Sequence, residues 1–248
     1  MTLPNLDSEL LEDLVDANHI LFNEKVVDAF GHVSARHPAR SDRFLLSRSI
    51  APAIVAAEDI IEFDLEGESV GGDRRRTYLE RFIHSEIYRA RPDVMAIVHS
   101  HSPSVVAFSL VKGFRFRPAC HMCGFLGNGA AHFDIRDVDG PGTDLLIGNR
   151  RLGLSLANSL ASANAVLMRG HGSTVVAPSL KQAVYRAVYT EVNAKILADA
   201  LRIGPVEYLS PEEARATLVA ESQIERPWQL WRAAARRARS PLSGTQGG

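Results

Sequence analysis

Three histidines have the neighbours and spacing expected of a metal centre. His99 and His101 end an apolar segment, VMAIVHSH, that is predicted to form a β-strand. Because side chains alternate across a strand, both imidazoles point to one face while the serine between them points away. His171 follows a second apolar segment, AVLMRGH, and lies between two glycines, which permit tight turns and close backbone approach. Three neutral imidazoles leave a cation open positions for water or substrate, as in catalytic sites.

Each of these patterns by itself also fits a structural role, as an incidental histidine pair or a plain strand-to-loop turn. Glu80 adds a carboxylate near the start of a predicted helix, TYLERFIHSEIYRA. It is a candidate general acid/base or fourth metal ligand. The alternative is a first-turn glutamate that interacts with the helix dipole. His84 lies four residues on, on the same helix face, and is predicted to be packed or hydrogen-bonded rather than a ligand.

The elements that must position these residues alternate between short strands and helices. The segments HVSAR, RFLLS and DIIEFDL have strand patterns, and turn residues separate them. Helices are predicted near the start of the chain, after the Ser102-Pro103 pair, over RLGLSLANSLA and from about residue 179 to 203. Hairpin-like strands with flanking helices indicate a sheet covered by helices, although the pattern alone does not give the topology.

Composition limits the class of protein. The 248 residues carry a formal net charge of -1, so no overall positive field exists to attract nucleic acid or an anionic membrane. The first twenty residues are acidic, and their apolar residues have the spacing of a helix face, unlike a signal peptide. No apolar run approaches the ~20 residues of a membrane span. Two cysteines, Cys120 and Cys123, fit a reducing compartment, and the cytoplasm is expected. Their C-x-x-C spacing leaves open ordinary buried residues, a redox pair or a metal role.

Two arginine-rich segments are predicted to be solvated. Arg74, Arg75 and Arg76 lie in a glycine-rich loop, and the charged residues after Glu225 are all arginines. The second segment fits a solvated surface helix better than an anion or partner site. We expect one domain over residues 1–228 and a basic, flexible tail over residues 229–248.

Together these motifs resemble the class II aldolase/adducin family over about residues 8–205. The shared features are a glutamate before a helix, then RPDVMAIVHSHSP, then a distant RGHG. The resemblance implies a three-layer α/β/α fold around a mainly antiparallel sheet, and tetramers with active sites at subunit boundaries. It also implies one divalent metal ion per subunit on His99, His101 and His171, with Glu80 as acid/base. Manganese or zinc is favoured over iron or cobalt, which imidazoles also accept.

The substrate segments depart from those of sugar-phosphate members of the family. Those members carry small and hydroxyl residues where this sequence has Gly31-His32, Ser49-Ile50 and Tyr78-Leu79. An isoleucine and a Tyr-Leu pair do not form the same phosphate cradle and suit a flatter, less polar ligand. The segments FGHVSARHP, LLSRS, YLERFIH, HMCGFLG and FDIRD resemble the subgroup of 3-hydroxy-2-methylpyridine-4,5-dicarboxylate decarboxylase and dihydroxyphthalate decarboxylase.

This subgroup implies a lyase that removes a carboxylate from an ortho-hydroxy aromatic or pyridine acid in aromatic catabolism. Arg36 and Arg48 are candidate carboxylate clamps, with surface ion pairs as the alternative. The other predicted substrate-binding residues are His32, Ser47, Tyr78 and, from a neighbouring subunit, His121. Three alternatives remain: an aldolase acting on a hydroxy-carbonyl or sugar-phosphate substrate, an iron(II) oxygenase, and an adducin-like binding module.

Overall fold

The computed structural model describes residues 8–239, which form one seven-stranded sheet and eight α-helices. The strands are β1 (His32–Arg36), β2 (Arg43–Ser47), β3 (Ile60–Asp64), β4 (Ala96–Ser100), β5 (Ala131–Phe133), β6 (Ala165–Met168) and β7 (Gly172–Ala177). The helices are α1 (Ser8–Asn23), α2 (Arg81–Ala90), α3 (Pro103–Ser109), α4 (Arg136–Asp139), α5 (Arg150–Leu160), α6 (Leu180–Ile203), α7 (Pro211–Ala216) and α8 (Glu221–Arg239). Among these, none is long and apolar enough to cross a membrane.

The sheet is mainly antiparallel, as expected. Its strand order is β3-β2-β1-β4-β7-β6-β5, and only the β5–β6 pair is parallel. The central strands β1, β4 and β7 come from distant parts of the sequence, and in the β1–β4 register His32 lies opposite His99. In this order the start of β1, the end of β4 and the start of β7 lie side by side at one end of the sheet. Polar residues from all three strands therefore meet there.

Helices cover both faces of the sheet, which confirms the three-layer α/β/α prediction. Val33 and Val98 face a core that also contains side chains of α1, α6 and α8. Ile97 and Val176 face the other core, which α2 and α5 cover. Because strand side chains alternate, His32 shares this second face of the sheet with Ile97 and His99. Site residues on the strands therefore point towards α2.

Helix α8 corrects the predicted start of a flexible tail at residue 229. The helix continues to Arg239, and Trp228 and Ala235 are fully buried in the core beside α1. These two residues are seven apart and so lie on one helix face, which docks against the domain. The helical part of the sequence prediction is confirmed up to residue 239, and the tail's last residues, 240–248, lie outside the described part of the chain.

The basic side of α8 is paired rather than solvated. Asp16 on α1 is almost fully buried and contacts Arg232, Arg236 and Arg239, with the first two at 2.7 Å. Burial acts to raise the pKa of Asp16, but the guanidinium groups outweigh burial and hold that pKa below its ordinary value. The sequence pattern did not predict this cluster, because Asp16 lies more than 200 positions before the arginines in the chain.

Replacing Asp16 with asparagine should lower the free energy of unfolding by about 1–3 kcal/mol. This loss is smaller than the ~3–5 kcal/mol expected when a fully buried ion pair is broken, because the arginines are partly exposed. Because the folded-state pKa is lowered, the stabilisation is present above the ordinary value of 3.8 and is lost as pH falls through the folded-state value. Urea denaturation at neutral and acid pH measures the difference between the two proteins. Asp199→Asn, an exposed aspartate paired with Arg202, is the control; an equal effect there would contradict the prediction.

Candidate metal centre

The structure brings together the three histidines that the sequence singled out. His101 Nε2 lies 3.0 Å from His99 Nε2 and 3.0 Å from His171 Nε2. Together with Glu80, they form a cluster in which one potential ligand atom from each residue lies within 4.8 Å of every other. A shared proton bridges only one pair of nitrogens at a time, whereas a cation satisfies all the converging lone pairs. The donor set therefore fits a divalent metal ion, with three imidazoles and a nearby carboxylate.

Adjacent strand ends hold the imidazoles in place. His99 is on β4, His101 follows the end of that strand, and His171 precedes β7, which pairs with β4. A Cβ atom at Gly172 would lie 2.0 Å from the carbonyl oxygen of Ser100, so only glycine permits the two strands to approach this closely. The glycine that follows His171 therefore has the close-approach role inferred from the sequence.

Hydrogen bonding selects the tautomer of His99 that leaves Nε2 free to bind a cation. The Thr174 hydroxyl donates to Met168 Sδ, so its oxygen is available to accept from His99 Nδ1–H at 3.3 Å. A histidine that donates from one ring nitrogen presents the lone pair of the other to a metal. Burial lowers the pKa of His99 and of His101, the latter to about 4, so both rings are neutral at pH 7. Neutral imidazoles are the form that binds metal.

Glu80 lies immediately before α2 rather than in its first turn. The helix begins at Arg81, and Glu80 has non-helical backbone angles and makes no side-chain capping bond. Its Oε1 accepts a hydrogen bond from the Ile147 amide at 3.0 Å, and its Oε2 lies 3.6 Å from His99 Nε2 and 3.5 Å from His171 Nε2. This position places the carboxylate in the histidine cluster at the start of α2, and its role as acid/base or fourth ligand stays a prediction.

The environment of Glu80 favours the carboxylate form. Burial acts to raise its pKa, but the contacts with His171 and His99 outweigh burial and lower the pKa well below its ordinary value. A resident proton for general acid catalysis would require a raised pKa, whereas the histidine contacts keep Glu80 ionised. Glu80 must first receive a proton before it can deliver one.

A cavity of about 400 Å³ opens beside the cluster, and it collects the three substrate segments identified from the sequence. The lining contains Gly31-His32, Ser49-Ile50 and Tyr78-Leu79, together with Glu80 and His101. The Tyr78 hydroxyl donates to the Ile50 carbonyl oxygen at 2.5 Å, and its ring lies 4.6 Å from that of His32. Aromatic and aliphatic side chains therefore form much of the lining, consistent with a flat ligand.

Two predicted substrate residues, Ser47 and Arg48, lie behind this lining. Ser47 is fully buried and contacts the hydroxyl of Tyr78 at 3.2 Å, so it supports the wall without being part of it. Arg48 Nε donates to Asp59 at 2.6 Å. Arg48 therefore forms an ion pair, which was the alternative to its predicted role as a carboxylate clamp. Neither residue lines the cavity.

Arg36 is not positioned to clamp a carboxylate, which corrects the prediction. It is buried, and its guanidinium donates to the carbonyl oxygens of Val94, Ser41, Tyr88 and Arg91. The donors that would bind a ligand are thus committed to the backbone. The sequence did not reveal this because the four carbonyl groups meet only after β1, α2 and the loop before β4 have packed together.

Arg76 is the cavity residue that sequence analysis missed. It lines the cavity near Glu80, and within the described residues its guanidinium makes no ion pair or hydrogen bond. Its neighbour Arg75 is bound to Asp73, whereas Arg74 and Arg76 are exposed, as predicted for a solvated loop. A run of three arginines gives no sequence signal that separates the one at the cavity, since the path of the loop decides which residue reaches it.

His121 and the cysteines lie outside the cavity. His121 is exposed at the start of a short 3-10 helix, His121–Leu126, and its predicted action in a neighbouring subunit stays a prediction. Cys120 Sγ and Cys123 Sγ are 3.3 Å apart, and Cys123 is fully buried. Within the described residues, neither belongs to a cluster that could hold a metal ion.

Comparison with known proteins agrees with this geometry. Residues 12–198 match the family described as Class II Aldolase and Adducin N-terminal domain. The chain belongs to the class II aldolase/adducin family. The chain is 38% identical over 237 residues to "Decarboxylase tropJ" of Talaromyces stipitatus, and the match covers 86% of this chain and 89% of that protein. It is 34% identical over 207 residues to 3,4-dihydroxyphthalate decarboxylase of Arthrobacter keyseri, covering 74% and 75%.

Solved structures confirm the class II aldolase fold. L-fuculose 1-phosphate aldolase from Glaciozyma antarctica PI12 matches with a TM-score of 0.76 at 25% identity, over 96% of this chain and 95% of that chain. Family membership and the decarboxylase relatives support an enzyme of the lyase class. The cluster of Glu80, His99, His101 and His171 supports a divalent metal as cofactor.

Proposed function

We propose that this protein is a metal-dependent decarboxylase of an ortho-hydroxy aromatic or pyridine carboxylate in aromatic catabolism. The observation that carries the proposal is the convergence of three imidazole nitrogens and one carboxylate beside a largely apolar cavity. His99, His101 and His171 would hold the cation, and manganese or zinc is the favoured metal. The relatives named as decarboxylases support the same reaction class.

A bound divalent cation would stabilise negative charge on the substrate oxygen next to the bond that breaks. Glu80, held as a carboxylate, accepts the proton of the ortho-hydroxyl group and then delivers it to the ring carbon that bears the carboxylate. The bond between that carbon and the carboxylate breaks, carbon dioxide leaves, and the bonding electron pair restores the aromatic ring. A proton from solvent finally replaces the one taken from the hydroxyl group, so one proton is consumed for each carbon dioxide released.

Arg76 is the proposed carboxylate anchor in place of Arg36. Arg76 lines the cavity, and a guanidinium group binds carboxylates through two parallel hydrogen bonds. Ile50, Leu79 and the ring of Tyr78 would contact the faces of a planar substrate. The lining thus combines apolar contact with one fixed positive charge, which suits an aromatic acid.

Arg76→Gln should raise KM for an aromatic acid by about 10–100-fold, the range expected when a charged hydrogen bond worth ~1.5–3 kcal/mol is lost. Metal content should stay at one ion per chain because Arg76 is not in the histidine cluster. Steady-state kinetics of the metal-loaded protein measures KM and kcat. Arg74→Gln, in the same loop but outside the cavity, is the matched control. A KM unchanged by Arg76→Gln would exclude the anchor role.

The function is tested by anaerobic assay of metal-loaded protein on hydroxy-aromatic carboxylates and sugar phosphates, with carbon dioxide and aldehyde release followed separately. Carbon dioxide release without oxygen is the expected result. Aldehyde release from a sugar phosphate would instead indicate an aldolase. Turnover that requires oxygen would favour an oxygenase, a chemistry named for a relative from Streptomyces roseochromogenus that is 29% identical over 191 residues.

We also expect a homo-oligomer, as the family resemblance implies, with active sites at subunit boundaries. In such an assembly His121 of a neighbouring subunit would approach the cavity. Light scattering of the purified protein gives the number of subunits, and a monomer that is fully active would contradict this expectation.

A further inference from the structure

Four buried polar side chains form a continuous hydrogen-bonded chain that ends at the cavity. His32 Nδ1 lies 2.7 Å from His84 Nε2, and His84 Nδ1 lies 2.6 Å from the hydroxyl oxygen of Ser34. Ser34 in turn lies 2.8 Å from the hydroxyl of Tyr88. All four are nearly or completely buried, and His32 is the member that lines the cavity. The mechanism above uses none of them.

The periodicity of β1 and α2 brings these four side chains together. His32 and Ser34 are two apart on β1 and therefore share a face, while His84 and Tyr88 are four apart on α2 and share a helix face. The helix packs on that face of the sheet, which brings the two pairs together inside the core. His32 Nδ1 and His84 Nε2 are 2.7 Å apart, so one of these two nitrogens donates a proton and the other accepts it.

The need to give each hydroxyl proton an acceptor fixes the direction of these hydrogen bonds. Within the described residues, Ser34 is the only recorded acceptor for the Tyr88 hydroxyl, so Tyr88 donates to Ser34. Ser34 then donates to His84 Nδ1, and His84 donates through Nε2–H to His32 Nδ1. Every other direction leaves the hydroxyl proton of Tyr88 or of Ser34 buried without an acceptor, which native structures avoid. The single proton of His32 must therefore be on Nε2.

We propose that this chain fixes His32 as a permanent hydrogen-bond donor whose Nε2–H binds an anionic oxygen of the substrate in the cavity. His84, Ser34 and Tyr88 are positioning residues that act through His32. The donor part rests on the geometry alone, while the identity of the oxygen, a carboxylate or phenolate of an aromatic acid, rests on the proposed function. His32, whose ring centre is 5.0 Å from that of His99, lies outside the metal cluster, and its Nε2–H would offer no lone pair to a cation.

The tautomer is measured directly by long-range proton–nitrogen NMR of zinc-loaded protein labelled with nitrogen-15 histidine. The His32 signals, assigned by their loss in His32→Gln, should show the proton on Nε2. Ser34→Ala removes the donor to His84 Nδ1 and should abolish this preference or reverse it. Tyr88→Phe is the matched control, because Ser34 then keeps His84 Nδ1 as its acceptor and the proton of His32 should stay on Nε2. A proton on Nδ1 in the wild-type protein, or a tautomer unaffected by Ser34→Ala, would overturn the donor assignment.

Substrate contact is tested by titrating zinc-loaded protein with salicylate. His32→Leu should weaken binding about 10-fold or more, whereas His32→Gln, whose amide nitrogen lies near the position of Nε2, should stay within about threefold of wild type. Equal affinity in all three proteins, or no saturable binding by the wild type, would overturn the anion contact. Circular dichroism and zinc content establish that each variant is folded. If His32→Leu does not fold, the His32→Gln and Ser34→Ala variants still decide the question. Absence of decarboxylation by the wild type would reject the proposed function without changing the tautomer result.

Discussion

His99→Ala is expected to lose both the bound cation and turnover. His99 Nε2 lies 3.0 Å from His101 Nε2 within a cluster of three imidazoles, and two neutral imidazoles hold a divalent ion far more weakly than three. Loss of an outer partner of a metal ligand already costs about 10–100-fold in affinity, so loss of the ligand itself should exceed ~100-fold. Metal analysis after dialysis and initial rates at saturating substrate measure the two effects.

Controls separate loss of the ligand from loss of the fold. His99 is completely buried, so its truncation also leaves a cavity in the core. His101→Ala removes a ligand that lies beyond the end of β4 and is only half-buried, and it should give the same metal loss with a smaller effect on stability. His37→Ala, just beyond the opposite end of β1, should retain metal and activity. Full metal content in both His99→Ala and His101→Ala would reject the proposed centre.

Glu80→Gln should leave the cation in place and reduce kcat by about 10²–10⁴-fold, the usual contribution of a positioned proton-transfer group. The amide oxygen of glutamine still accepts from the Ile147 amide, so the loop and the start of α2 keep their geometry. What the variant loses is the negative charge beside His99 and His171, which is proposed to accept the substrate proton. Rapid-quench measurement of carbon dioxide release, together with metal analysis, distinguishes loss of chemistry from loss of metal.

Glu86→Gln is the matched control for this variant. Glu86 is also a buried carboxylate, on α2, but it is paired with Arg150 at 2.8 Å and lies outside the histidine cluster. Its substitution should affect stability and leave kcat unchanged. If Glu80→Gln loses the metal as completely as His99→Ala does, Glu80 is an essential ligand rather than the proton carrier. Wild-type turnover in Glu80→Gln would exclude both roles.

The candidate metal centre was predictable from the sequence because its histidines lie on a strand or directly beside one. Alternation along β4 fixes the direction of His99, and the glycine pair around His171 indicates a close approach of two backbones. The resemblance of the motif order to a known family then joined segments that periodicity alone does not connect. The three-layer fold followed from the same resemblance and from the alternation of strand and helix patterns.

Residues whose role depends on a distant partner were not predictable in this way. Arg36 and Arg76 are the same residue type, yet packing commits the first to backbone carbonyl groups and leaves the second facing the cavity. The charge on Glu80 likewise depends on two imidazoles that reach it only in the folded chain.

The sequence by itself indicated the candidate metal ligands, through strand alternation, glycine placement and the resemblance of its motifs to a known family. The tertiary structure alone decided which arginine faces the cavity, why α8 docks through Asp16, and which ring nitrogen of His32 carries its proton. The physical reason is that burial, hydrogen-bond direction and charge state are set by neighbours in space. Those neighbours come from parts of the chain that periodicity does not relate.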